Sequence, residues 1–191
     1  MASSLAEILG AFSYALDLTE GQPKGHALRC CWIATQVAKA AGISGQALHD
    51  IYYAAMLKDL GCSVNAARVA EMFVGDDRRL KHAFKLIGPD QQAFADFVMR
   101  EVGTEVAADT KAVAVDNLLE NGGQIMTGIM GSRCTRGADI ARQLRFSEDV
   151  AVAIAHLDEH WDGSGLPLGL AGDSIHIGGR LALLAQTSMY F

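Results

Sequence analysis

Proline, aromatic residues and ordered cysteine are all scarce in this sequence. Three prolines in 191 residues, with half the chain apolar and a fifth charged, exclude a disordered polypeptide and indicate a folded globular one. The four cysteines, Cys30, Cys31, Cys62 and Cys134, have no CxxC spacing and two of them are adjacent. That pattern argues against a zinc knuckle or a disulfide framework and fits reduced thiols in a cytoplasm. No run of about 18 apolar residues occurs, and the opening MASSLAEILGAF has no basic region before its apolar residues, so neither a membrane span nor an export signal is expected. Basic residues are also in deficit. A net charge of −6 argues against a general nucleic-acid binder, which needs a basic face.

Helical periodicity fills the space these absences leave. Leu5, Ile8, Leu9, Phe12 and Leu16 form one stripe, and Ser4 with Glu7 reads as a capping box, predicting a helix over 4–17. A Gly- and Pro-containing loop, 17–25, precedes a second helix over 26–41, and a third over 46–60 has apolar faces broad enough for the centre of a domain. Shorter helices are expected at 63–74, 77–86, 90–102 and 105–120, the last ending at Asn121-Gly122-Gly123. CTRGADIARQL and SEDVAVAIAHLDEHW predict two more, with Ser147 as an N-cap. A loop over 165–179, long enough to suggest a functional or packed role, leads into a last helix, RLALLAQTSMYF. No period-two run of useful length appears. The expectation is an all-α fold over 1–191, a single domain that ends in mid-pattern and so reads as truncated at its C-terminus.

The stretch DEHWDGSGLPLGLAGDSI resembles the signature HHExWDGxGYPxGLxGxxI of the HD-GYP family, a branch of the HD superfamily of metal-dependent phosphohydrolases. Glu159, Trp161, Asp162, Gly163, Gly165, Pro167, Gly169, Leu170, Gly172 and Ile175 match in order. GHALRCCWIATQVAKAAGIS resembles the family's first metal-histidine helix, AAMLKDLGC its ALLHDIGK helix, RCTRGADIARQL its HPxxGAxIL element and RLALLAQ its RILxxAD element. The resemblance covers residues 20 to 190. It implies an HD-domain helical bundle in which histidines and aspartates hold two or three iron or manganese ions that activate water against cyclic di-GMP.

Carried over residue by residue, the ligand set is incomplete. His26 stands at the first ligand histidine and Asp59 at the aspartate of the HD pair. Lys58 replaces the histidine of that pair, Arg133 the histidine of HPxxG, Leu157 and Asp158 the two histidines before Glu159, and Gln186 the closing aspartate. Cys62 stands at the lysine of HDIGK and Leu166 at the tyrosine of GYP. Protonated Lys and Arg offer no lone pair to a metal. The family's metal centre is therefore not expected here; if a metal did bind, His26, Asp59 and His156 would be its ligands, with iron or manganese as the ion. On a helix, His156 and His160 would lie about 100° per residue away from the vacated pair, a poor register for replacement. Lys58 and Arg133, opposite Asp59 and Asp158, would form a charge cluster in place of the metal.

Two function classes follow. The first is an HD-GYP-like module without phosphodiesterase activity, acting in bacterial signalling through a cyclic dinucleotide, another small anionic ligand, a protein partner or a homodimer. The alternative is an enzyme, hydrolysing cyclic di-GMP or a related nucleotide with a rearranged metal site or with the Lys58, Arg133 and Asp59 cluster. A purely structural dimerisation domain is a third possibility. The vestigial or binding site comprises His26, Lys58, Asp59, Arg133, Asp158, Glu159, Asp162 and Gln186. Bland roles stand beside these: Trp161 packed, Asp162 bonded to backbone amides, Cys30 and Cys31 as core residues, and His49, His82 and His176 facing solvent.

Overall fold

The computed structural model describes residues 5–84 and 91–190, and among these it is helical without a strand. The capping-box residue Ser4 lies outside the described residues, as do positions 85 and 86 of the helix expected over 77–86. Among the described residues nine α-helices follow in order: α1 Leu5–Thr19, α2 His26–Ala40, α3 Gly45–Leu57, α4 Ala66–Phe73, α5 Asp77–Phe84, α6 Gln91–Glu101, α7 Ala108–Gln143, α8 Glu148–Ala155 and α9 Ile177–Ser188. Short 3-10 turns at Cys62–Asn65 and Gly172–Ser174 join α3 to α4 and precede α9.

Two apolar clusters organise these helices. One gathers Cys30, Ala34, Ile51, Ala55, Leu57, Ala141, Ile154, Leu157 and Ala185, so that α2, α3, α8, α9 and the C-terminal end of α7 share a core. The expected central place of α3 holds, since Ile51, Ala54, Ala55, Met56 and Leu57 are all buried. The second cluster, around Val69, Phe73, Leu80, Phe97, Val102 and Leu118, packs α4, α5 and α6 on the first half of α7.

The helix α7 departs most from expectation. The stop at Asn121-Gly122-Gly123 and the separate helix after it are one continuous element of 36 residues. Gly122 is there for packing: a Cβ would stand 2.6 Å from Phe94 Cε1, whereas one on Gly123 would meet nothing within 4 Å. Glycine weakens a helix by only about 0.5–1 kcal/mol against alanine, which the two flanking cores outweigh.

Close backbone approaches set the site. A Cβ on Gly61 would come within 1.9 Å of Arg133 O, and one on Gly137 within 2.9 Å of Ile154 Cγ2. Gly61 thus brings the end of α3 directly against the middle of α7. Helix α8 begins at the expected Ser147, whose Oγ accepts from Val150 N and donates to Asp50 Oδ1. It ends at Ala155, before the histidines and carboxylates that the sequence pattern extended it through.

Candidate functional site

The end of α3 delivers Lys58 and Asp59 into the interior, and α7 brings Arg133 to meet them. Lys58 is 2% and Asp59 1% exposed. Lys58 Nζ donates to Asp59 Oδ2. Arg133 Nη2 lies 3.8 Å from Asp59 Oδ1, and Arg133 Nε lies 3.3 Å from Asp158 Oδ2. Four residues from three places in the chain thus form one network of two cations and two carboxylates, buried except for the half-buried Asp158. Burial pushes the Lys58 ammonium toward deprotonation, but Asp59 and the thiols of Cys30 and Cys62 reverse this and hold it above its ordinary value. Arg133 behaves alike: burial opposes its charge, and Asp158, Cys62 and Asp59 outweigh burial. The Cys134 thiol, whose Sγ donates to Asp158 Oδ2 over 3.5 Å, is pushed up to about 12 by burial and then by Asp158.

His26 reaches the same interior through its N-terminal setting. Asp17 Oδ1 accepts from Ala27 N at 2.9 Å and Gly25 adopts φ 77°, so the first turn of α2 is anchored to the end of α1. The His26 ring is 2% exposed, with Nε2 3.5 Å from Cys30 Sγ and its centroid 6.1 Å from that of Tyr190. Tyr190 in turn donates to Gln22 Oε1 at 3.1 Å.

The signature loop is a closure built on Glu159. Its buried carboxylate accepts from Leu168 N at 2.7 Å and Leu170 N at 2.8 Å. Asp162 Oδ1 accepts from Ser164 N and Ser164 Oγ, hydrogen bonds that hold its carboxyl below the usual range. Gly163, Gly169 and Gly172 have φ of 82°, 65° and 55°, a conformation glycine adopts without the Cβ penalty. Glu159 and Asp162 therefore shape the loop, in agreement with the bland reading of Asp162. Trp161 does not pack inside: it is 63% exposed, with the Arg180 guanidinium 5.4 Å over its ring.

The expected helical placement of His156 fails. It lies beyond the end of α8, and its Nδ1 accepts from His176 N at 3.1 Å, so it ties the start of α9 to the end of α8. Burial and the neighbouring His176 lower its pKa. His82 and His176 are half-buried, against the expected exposure, while His49 faces solvent and Cys30 and Cys31 are core residues as expected.

The expectation that no metal is to be found is not supported by the side-chain arrangement. Glu20, Asp59 and Cys62 are all buried and place their ligand atoms within 4.8 Å of one another. Cys62 Sγ donates to Asp59 Oδ1 at 3.6 Å, and Lys81 Nζ sits 3.0 Å from Glu20 Oε1. Lys58 donates to Oδ2 of Asp59, and Cys62 and Arg133 approach Oδ1. Two carboxylates and a thiol are a donor set that one first-row divalent ion accepts, so this group fits a single ion. It differs from the trio His26, Asp59 and His156 expected from sequence. Sequence pattern gave no signal for Glu20, since it lies in a loop and meets Cys62 only through the tertiary fold.

A cavity of about 960 Å³ opens beside this group, between the two cores. Glu20, Cys62, Lys81, Arg133, Asp158 and Gln186 line its polar end, and Phe73, Phe84, Phe94 and Phe97 its apolar end. Its size and mixed lining are those of a small-molecule site.

Comparison with known proteins places this geometry in context. An HD domain family model matches residues 117–187. Over 182 residues the chain is 41% identical to the 3'3'-cGAMP-specific phosphodiesterase 3 of Vibrio cholerae serotype O1, covering 95% of this chain and 40% of that protein. The crystal structure of a cyclic GMP-AMP specific phosphodiesterase from V. cholerae superposes with a TM-score of 0.68 at 37% identity, over 98% of this chain and 40% of the other. The chain thus spans well under half the length of the curated relative it matches. Identity at this level to a curated phosphodiesterase overturns the expectation, drawn from the exchanged ligand positions, of a module without phosphodiesterase activity, and favours the enzymatic alternative. Together with the all-helical bundle and the Glu159–Ile175 signature loop, these likenesses make the chain similar to HD-domain proteins, with residues 117–187 matching the HD domain itself.

Proposed function

We propose that this chain is the HD-GYP-type part of a metal-dependent cyclic dinucleotide phosphodiesterase with a rearranged site, acting on 3'3'-cGAMP or a closely related nucleotide. The observation that carries the reading is a buried Glu20, Asp59 and Cys62 group beside a cavity of about 960 Å³, in a chain 41% identical to a 3'3'-cGAMP-specific phosphodiesterase. Glu20, Asp59 and Cys62 would hold the ion, with iron and manganese the first ions to test. When bound, such an ion supplies Lewis acidity and lowers the pKa of a water for attack on phosphorus.

The chain's own side chains do the remaining work. Lys58 and Arg133 stay charged and offset the carboxylates around them, so the interior tolerates an anionic substrate. Phe84 and Phe94, half-buried in the cavity lining over the buried Phe73 and Phe97, offer aromatic surface for a purine base, and the apolar walls there limit water. The loop held by Glu159 and Asp162 forms the rim through His160, Ser164 and Leu166. Four buried thiols, none in a disulfide among the described residues, are consistent with a reducing cytoplasm.

The test combines metal analysis with turnover. Protein expressed with iron and manganese is expected to retain about one ion per chain, as a single-ion donor set implies, and to hydrolyse 3'3'-cGAMP. Glu20→Gln and Cys62→Ala are expected to lose both. A metal-loaded protein without hydrolysis would overturn the reading.

A further inference from the structure

Two side chains in the cavity end on atoms that satisfy no hydrogen bond among the described residues. Arg133 Nη2 and Gln186 Oε1 are both buried and have no such partner, although Arg133 Nε and Nη1 are engaged by Asp158 and Met130. Arg133 is 9% and Gln186 7% exposed, and both line the same cavity. One is a cationic donor and the other a neutral acceptor, from α7 and α9. Leaving buried polar groups unpaired is unfavourable by about as much as each lost hydrogen bond. An unpaired donor and an unpaired acceptor, on two side chains that line one cavity, match in character a ligand that carries both an anion and a donor.

We propose that Arg133 and Gln186 hold a nucleotide phosphodiester directly, with no metal ion between protein and phosphate. Arg133 Nη2 donates to a non-bridging phosphate oxygen. Gln186 Oε1 accepts from a hydroxyl or amino group of the same nucleotide. The planar guanidinium suits a phosphate, and the Asp158 carboxylate, 3.3 Å from Nε, pairs with its other edge. Asp59 Oδ1, 3.8 Å from Nη2, is too far for a hydrogen bond and contributes only charge balance. Nucleotide affinity and metal-dependent hydrolysis thereby become separable properties of one cavity. The inference rests on the phosphodiesterase reading for its choice of nucleotide, and it adds that binding survives removal of the metal.

Calorimetric titration of the 191-residue protein with 3'3'-cGAMP in excess EDTA tests it. Wild type is expected to bind. Arg133→Gln is expected to weaken binding roughly tenfold or more, the worth of a hydrogen bond to a charged group, and Gln186→Leu by about three- to tenfold. Because Arg133→Gln removes a charge that Asp158 needs, it can unfold the chain; Gln186→Leu removes an acceptor that already lacks a partner and then decides the matter. Binding that appears only after manganese or iron is restored, or that is unchanged in Gln186→Leu, overturns the proposal. Hydrolysis with metal but no binding in EDTA removes this inference and leaves the phosphodiesterase reading standing. Binding in EDTA with no turnover on any metal does the reverse.

Discussion

Lys58 donates to the carboxylate of the very next residue, Asp59, with both side chains shut away from solvent. Adjacent residues of opposite charge usually point apart along a helix; here the chain leaves α3 at Leu57, and Lys58 meets the same Asp59 carboxylate that Arg133 approaches at 3.8 Å. The pair contributes little net stability while intact, but removing one member strands the other.

Asp59→Ala is therefore expected to destabilise the fold by ~3–5 kcal/mol, because it leaves the Lys58 amine buried without its carboxylate partner. Lys58→Ala is expected to act in the same direction, and more mildly, since Arg133 remains 3.8 Å from Asp59. The double variant Lys58→Met with Asp59→Leu should recover most of the loss. Urea denaturation in EDTA checks this, and unchanged melting of both single variants would refute it.

Glu159→Gln should loosen the signature loop. A carboxylate accepts from both Leu168 N and Leu170 N, whereas an amide side chain has one oxygen and must leave one of the two N–H groups facing its own NH2. A loss of about 1–3 kcal/mol is expected. Limited proteolysis should then cut between 165 and 175 faster than in wild type.

Two glycines should respond with opposite signs. Gly61→Ala would drive a methyl to 1.9 Å from Arg133 O and force the end of α3 away from α7; it is expected to destabilise by about 3 kcal/mol or more, at the upper end of overpacking effects. Gly123→Ala meets nothing in the exposed middle of α7 and is expected to stabilise by about 0.5–1 kcal/mol. Thermal melts of the two variants side by side settle both.

Stability should fall with acid in a window set by His156. Its folded pKa is lowered from 6.5, by burial and then by His176, so the unfolded chain takes up a proton more readily. The contribution is fully present above 6.5 and is lost as pH falls through that value toward the lower folded pKa. Protonation also removes Nδ1 as acceptor for His176 N. Wild type should lose more Tm between pH 7.5 and pH 5.5, a range set by the ordinary histidine value, than His156→Gln does.

The sequence made the helices, the first core and the signature loop legible because each depends on local pattern or on contiguous motif residues. Ile51, Ala54 and Leu57 are readable as a buried face, and Ser147 as a cap. Gly122 reads as a stop in the sequence because its reason for being glycine, the ring of Phe94, lies in another helix. Lys58, Asp59, Arg133 and Asp158 were expected together from the resemblance, and they do meet. Glu20 and Lys81 were not legible at the site, since only the folding of the α1–α2 loop against α5 and the turn at Cys62 brings them there. The inference of a module without activity failed for a related reason: exchanged ligands at known positions say nothing of donors arriving from new ones.

The most direct test of the account is release of linear dinucleotide from 3'3'-cGAMP by the purified chain supplied with manganese or ferrous iron, measured beside Asp59→Asn. The account predicts turnover by wild type that EDTA abolishes and that Asp59→Asn, folded by its melt, lacks. No turnover by a wild-type protein that carries bound metal would contradict it.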